Sequence, residues 1–228
     1  MSFIYDPQFG DRLITLMAAL VLVLQIAMVG QRWLVTTIRM FGVQSFLLAA
    51  IAFTIAFYNH ATHIYIAAFL TLALKTFLLP IFLERLVARV GVNQEIEPLI
   101  NVPVSILISG CLTLVGYVVA ESFYHPGGSF GAASLGHNTL AVAIGLFLVG
   151  FFMMLNRRKA LTQVLGLLCM ENGLYLAAIS LTYGVPLVVE LGIFFDVLVA
   201  VMVLGILVYR IGTTFDSMDV SKLRKLRG

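Results

Sequence analysis

The chain has 228 residues, of which 61% are hydrophobic and only 11% are charged, and its net charge is +3. Globular domains carry about 25% charged and about 45–50% apolar residues, so this chain has too little polar surface to cover a water-soluble globule. That excludes a soluble enzyme, a nucleic-acid binder and a disordered linker. The two cysteines, Cys111 and Cys169, both lie inside apolar runs, which argues against a disulfide framework or a thiolate metal site.

A helix that crosses a bilayer needs roughly 20 mostly apolar residues. Seven stretches qualify in chain order: 12–31, 36–58, 63–87, 103–123, 138–156, 160–183 and 186–209. The first follows a polar opening with Asp6, Asp11 and Arg12, and no small-residue cleavage site comes after it, so it reads as a retained span. Basic residues then set the orientation. Arg32 and Arg39 flank the first connection, Arg85 and Arg89 the third, and Arg157, Arg158 and Lys159 the fifth. Arg210, Lys222, Arg224, Lys225 and Arg227 follow the last span. Of the 14 Lys and Arg residues, all but Arg12 and Lys75 fall on one side. Basic connections stay cytoplasmic, which predicts an outer N-terminus, a cytoplasmic C-terminus and an odd number of spans. The fold class expected is all-α: a single polytopic transmembrane domain over 1–228 with seven helices. The tail Asp216–Gly228 mixes basic and apolar residues; docking on a neighbour is one reading, and the favoured one is that it lies at the anionic inner leaflet.

Gln44–Ser45–Phe46–Leu47–Leu48–Ala49–Ala50–Ile51 in the second span looks like Asn172–Gly173–Leu174–Tyr175–Leu176–Ala177–Ala178–Ile179 in the sixth. Two readings remain open: chance similarity of Leu/Ala-rich helices, or a parallel repeat of three-helix units, 12–89 and 138–211, joined by the helix 103–123.

Charge inside a bilayer costs about 2.5–3.5 kcal/mol per residue even on lenient scales. At about 1.5 Å rise per residue, Lys75, Glu171 and Asp196 all sit roughly 15–18 Å from the nearer end of their spans. They share a depth near the midplane, and Glu190 is shallower. A structural ion pair of Lys75 with Asp196 or Glu171 is one reading. The favoured reading is a proton relay of Lys75, Glu171 and Asp196, with Glu190 and His137 toward the outer side. Opposite charges within reach of one another can exchange protons near neutral pH, whereas isolated ones in lipid stay neutral. Pro80, five residues after Lys75, has no N–H for the carbonyl of Thr76 and crowds it, so the helix should loosen there. Asn172 and Gly173 permit a bulge beside Glu171, although Gly166 and Gly173 fit close helix packing better. His60 and His63 have no third ligand nearby and do not suggest a metal site. His125 and Glu121 read as solvated or interfacial. No nucleophile elbow, phosphate loop or cysteine cluster is present, so the chain is expected to hold no cofactor and no catalytic centre.

The segment Leu168–Cys169–Met170–Glu171–Asn172–Gly173, then Leu187–Val188–Val189–Glu190–Leu191–Gly192 and Phe195–Asp196, resembles component E of the hydrogenase-four type formate hydrogenlyase. That family comprises membrane subunits of energy-converting nickel–iron hydrogenases. Leu74–Lys75 followed by Leu78–Leu79–Pro80 resembles its third helix. The last three spans are similar, more distantly, to the K subunit of complex I and the C subunit of Mrp antiporters. In those families a glutamate on each of two helices lies on a proton path, and Glu171 and Glu190 match by type and helix. The interval between the two is shorter here, and Asp196 has no counterpart in the small subunits. The resemblance implies a non-catalytic subunit of a redox-driven proton-translocating complex. The partners implied are antiporter-like subunits, a membrane anchor subunit and a peripheral hydrogenase arm that carries the nickel–iron centre and iron–sulfur clusters. A stand-alone ion transporter and a purely structural anchor are the alternatives.

Overall fold

The computed structural model describes residues 7–59, 62–90, 98–123 and 137–182. Every named element there is a helix: α1 (Pro7–Gly30), α2 (Leu34–Asn59), α3 (Thr62–Thr71), a π-helix (Leu72–Leu78), α4 (Leu79–Val90), α5 (Val102–Phe123), α6 (His137–Leu155) and α7 (Ala160–Thr182). Stretches of five of the spans, 8–30, 34–58, 64–85, 102–123 and 161–180, are long and apolar enough to cross a bilayer, and 139–155 is a shorter apolar helix. The chain is therefore an all-helical, multi-pass membrane protein. The expected seventh span, 186–209, lies outside the described residues, as do Glu190, Asp196 and the C-terminal tail.

Local sequence explains the ends. Pro7 opens α1 and Pro103 sits in the first turn of α5, where a missing N–H costs nothing. Thr162 folds back at the start of α7, its hydroxyl donating to the Lys159 carbonyl at 2.7 Å. The third span is the irregular one. Pro80 cannot bond the carbonyl of Thr76, and the ladder shifts to a wider register in which the Leu79 N–H donates to the Leu74 carbonyl. Gly42 on α2 gives this turn room: a Cβ there would lie 3.2 Å from Pro80 Cγ and 3.4 Å from the Thr76 carbonyl oxygen.

The sixth span decides between the two readings of its glycines in favour of packing. Asn172 and Gly173 produce no bulge, and α7 is α-helical throughout. Its glycines are packing residues. A Cβ on Gly173 would fall 2.5 Å from the Phe147 nitrogen, and one on Gly166 would fall 2.5 Å from the Met154 nitrogen. Bare backbone thus lets α6 and α7 touch along their length.

Helices α1, α2, α6 and α7 form the centre. α1 packs on α2, α5 and α6; α2 packs on α7 and on the irregular third span; α5 packs on α6. Two apolar clusters fill the bundle. One is built from Ile14, Val21, Leu48, Ile55, Ile64, Leu146 and Leu176. The other, toward the end that carries Arg32 and Arg157, is built from Met28, Phe41, Leu83, Met153, Leu165 and Leu168. Between them the residue numbers skip, and on four elements the gap holds buried polar side chains: Gln25 on α1, Gln44 and Ser45 on α2, Lys75 in the π-helix, and Glu171 and Asn172 on α7.

Candidate functional site: a buried polar layer

Lys75 and Glu171 meet in this layer. Nζ of Lys75 lies 3.3 Å from Oε1 of Glu171, with 3% and 4% of the two side chains exposed. The pair joins the third and sixth spans. The ammonium also donates to Oδ1 of Asn172 at 3.3 Å and lies 5.5 Å from the centroid of the Tyr175 ring. So positions 171, 172 and 175 of one helix face supply a carboxylate, an amide oxygen and an aromatic ring to one cation. Burying two opposite charges costs more than burying a neutral pair unless other hydrogen bonds complete the shell. Asn172 contributes such a bond.

The hydrogen bonds continue away from the pair. Nδ2 of Asn172 donates to Oε1 of Gln44 at 3.1 Å and faces the Ser45 hydroxyl at 3.4 Å. Nε2 of Gln44 donates to Oε1 of Gln25 at 2.7 Å. The Cys169 thiol lies against the Gln25 amide. Residues from α1, α2, the π-helix and α7 are thereby tied across the bundle at one level. Gln44 and Asn172 occupy matching places in the two similar segments noted above, and here they are bonded to each other.

Arg157 differs from its expected place in an exposed basic connection. It is 1% exposed. Its Nη2 donates to the carbonyls of Met28 at 3.3 Å and Val29 at 3.0 Å, so it closes the C-terminal end of α1. Burial lowers this guanidinium to about 10, which leaves it charged at neutral pH. Asn156 beside it accepts from the Ile100 N–H and donates to the Ser105 hydroxyl, at 2.9 Å each, fixing the start of α5.

Of the five expected relay residues, the structure brings Lys75 and Glu171 together. Glu190 and Asp196 lie outside the described residues, as does the side chain of His137, the first residue of α6. Sequence reasoning missed Gln25, Gln44 and Arg157 as members of the buried network. The available signal was an amide in each of two apolar stretches, at the depth where Lys75 and Glu171 also fall. A groove of about 640 Å³ between α1, α2 and α3 is lined mostly by apolar groups, Leu13, Phe46, Phe53 and Phe69 among them, and no charged side chain lines it.

The family NADH-ubiquinone/plastoquinone oxidoreductase chain 4L matches residues 138–228. An uncharacterized protein of Mycobacterium tuberculosis, Rv0085, is 34% identical over 205 residues, covering 89% of this chain and 90% of that protein. Hydrogenase-4 component E of Escherichia coli K12 is 26% identical over 222 residues, covering 96% of this chain and 99% of that protein. The Shigella flexneri component E matches to the same extent. No solved structure matches the chain. Matched nearly end to end by these relatives, the chain belongs to one family with the Mycobacterium tuberculosis protein and is a homologue of hydrogenase-4 component E, and its residues 138–228 are similar to chain 4L.

Proposed function

We propose that this chain is a non-catalytic membrane subunit of a redox-driven, proton-translocating complex, and that Lys75 and Glu171 hand protons across its midplane. The observation that carries the reading is the 3.3 Å meeting of the two charges, from distant spans, in the buried polar layer between two apolar clusters. Glu171 lies within the chain 4L match and Lys75 outside it, so the pair couples the two halves of the chain. A proton on Lys75 is stabilised by the Glu171 carboxylate, the Asn172 oxygen and the Tyr175 ring. Shifting it to Glu171 leaves two neutral groups, the form a low-dielectric interior favours. Both forms are thus accessible at one place.

The full architecture in this proposal has seven spans, an outer N-terminus and a cytoplasmic C-terminus in a prokaryotic inner membrane. Asp196 adds to the relay at the same depth, with Glu190 and His137 toward the outer side. The partners are antiporter-like subunits, an anchor subunit and a peripheral hydrogenase arm of the formate-hydrogenlyase kind. The nickel–iron centre and iron–sulfur clusters belong to that arm. Support comes from the family relation and from the broad apolar outer faces of α5 and the third span, where Leu107, Val118, Ile66 and Phe69 are exposed.

The test is Glu171→Gln in the assembled complex, with proton translocation followed in membrane vesicles. The amide keeps the size but cannot take up a proton. Translocation falls at least about tenfold, the scale on which removing a positioned acid–base group acts, while assembly is retained. Normal translocation with normal assembly removes the proposed role.

A further inference from the structure

Beside the polar layer, toward the basic end, three buried N–H groups meet no acceptor among the described residues: Nε2 of Gln25, and Nε and Nη1 of Arg157. Gln25 is fully buried and Arg157 nearly so. Cys169 lies against the Gln25 amide, within electrostatic reach of both Arg157 and Lys75. Its sulfur is a weak acceptor, and Gln25 Nε2 does not meet it in hydrogen-bond geometry.

The amide series has a direction. Each carbonyl oxygen accepts from the Lys75 side and each NH2 donates onward: Lys75 to Asn172, Asn172 to Gln44, Gln44 to Gln25. The last donor, on Gln25, is therefore left over at the edge of the layer nearest the arginine. All three of these groups on Gln25 and Arg157 are donors, and unmet donors are costly inside a membrane. Such groups are where ordered water sits. A neutral acceptor suits the place better than an anion, because the negative end of the α1 dipole already faces the guanidinium through the Met28 and Val29 carbonyls.

We propose that water fills the space bounded by Gln25, Cys169 and Arg157 and, along the wall made by Asn172, Gln44 and Gln25, joins the Lys75–Glu171 pair to the basic face of the membrane. Water accepts and donates through a single oxygen and so relays a proton, which the amides of the wall, accepting at O and donating at N, do not do by themselves, and the fixed direction of the series orients it. The purpose of this path rests on the relay role of the pair. Its existence does not.

Cys169 is the native reporter. The experiment uses the complex in native membrane vesicles of both orientations, with Cys111→Ala removing the exposed thiol on α5. The probe is 2-aminoethyl methanethiosulfonate. The Cys169 thiolate displaces methanesulfinate and forms a mixed disulfide, which is read by mass spectrometry on the tagged chain. Modification depends on thiolate and access, so it proceeds at least about tenfold faster from the basic face than from the opposite face, and Gln25→Leu slows it by a similar factor. Equal rates from both faces, no modification before denaturation, or no effect of Gln25→Leu overturns the proposal. If Gln25→Leu does not accumulate, the two-sided comparison decides by itself. Cys169 inert while Glu171→Gln abolishes translocation removes the water path and leaves the relay. Cys169 reactive while Glu171→Gln pumps normally keeps the water and removes the relay.

Discussion

At the residue scale, the Lys75–Glu171 pair separates packing from proton transfer. Lys75→Met leaves a carboxylate buried without this cation, and breaking a buried pair from one side costs about 3–5 kcal/mol. The expected result is a lower melting temperature in detergent and weaker assembly. Lys75→Met combined with Glu171→Leu removes both charges, and apolar replacements of a buried pair are close to neutral. The double variant should regain most of the stability and none of the translocation. Translocation in the double variant would make the pair a structural tie only. Arg157 gives a contrasting case. Arg157→Met loses the bonds to the Met28 and Val29 carbonyls, a loss of about 1.5–3 kcal/mol for hydrogen bonds made by a charged donor. Burial lowers the guanidinium to about 10 in the folded chain, so the unfolded chain binds more protons only above about pH 10, and stability from this group rises with pH only there. The melting-temperature gap between wild type and Arg157→Met should therefore stay flat from about pH 6 to pH 9. A gap that changes across that range would mean that the arginine is coupled to a group titrating near neutrality.

At the element scale, the π-helix sets where Lys75 points. Pro80→Ala restores an N–H for the Thr76 carbonyl and removes the cause of the wide register. Closing that register turns Lys75 against α7 by up to one residue's rotation, about 100°. The 3.3 Å contact with Glu171 cannot survive such a turn. Pro80→Ala should thus assemble normally and translocate poorly, and unchanged translocation would show that the π-helix is dispensable. The α6–α7 contact depends on missing side chains. A Cβ on Gly150 would fall 2.6 Å from the Met170 Cα, whereas a Cβ on Gly110 meets nothing within 4 Å. Gly150→Ala should destabilise by about 1–3 kcal/mol through overpacking, and Gly110→Ala should be neutral or stabilising by up to about 1 kcal/mol. Thermal unfolding of the two variants in one detergent compares them directly.

At the scale of the whole molecule, topology and company are what remain to be measured. Reporter fusions after Arg158 should read as cytoplasmic, and fusions within the stretch 124–136 should read as external, because the Lys and Arg residues gather on one side. The reverse pattern would invert the orientation and place the water path on the outer face. Purification of the tagged chain in mild detergent should bring antiporter-like subunits and a metal-cluster arm with it. A chain that comes out alone or only with itself would favour a stand-alone transporter.

The sequence by itself determined the membrane class, the all-helical fold and the bounds of the six described spans to within a few residues, because hydropathy and proline act locally. It also showed that Lys75 and Glu171 share a depth, since depth follows from rise per residue. The break near Pro80 was legible for the same local reason. That Lys75 meets Glu171 was not legible, because depth leaves rotation about the helix axis and the choice of neighbour open. Packing decided that, through Gly42 against Pro80 and through the bare backbone between α6 and α7. Tertiary structure also made Asn172 the bond between Lys75 and Gln44, and drew Arg157 out of a basic connection onto the end of α1. Both changes have one physical reason. A polar group that packing seals away from water must take whatever donor or acceptor packing brings to it, and that partner lies far away in the sequence.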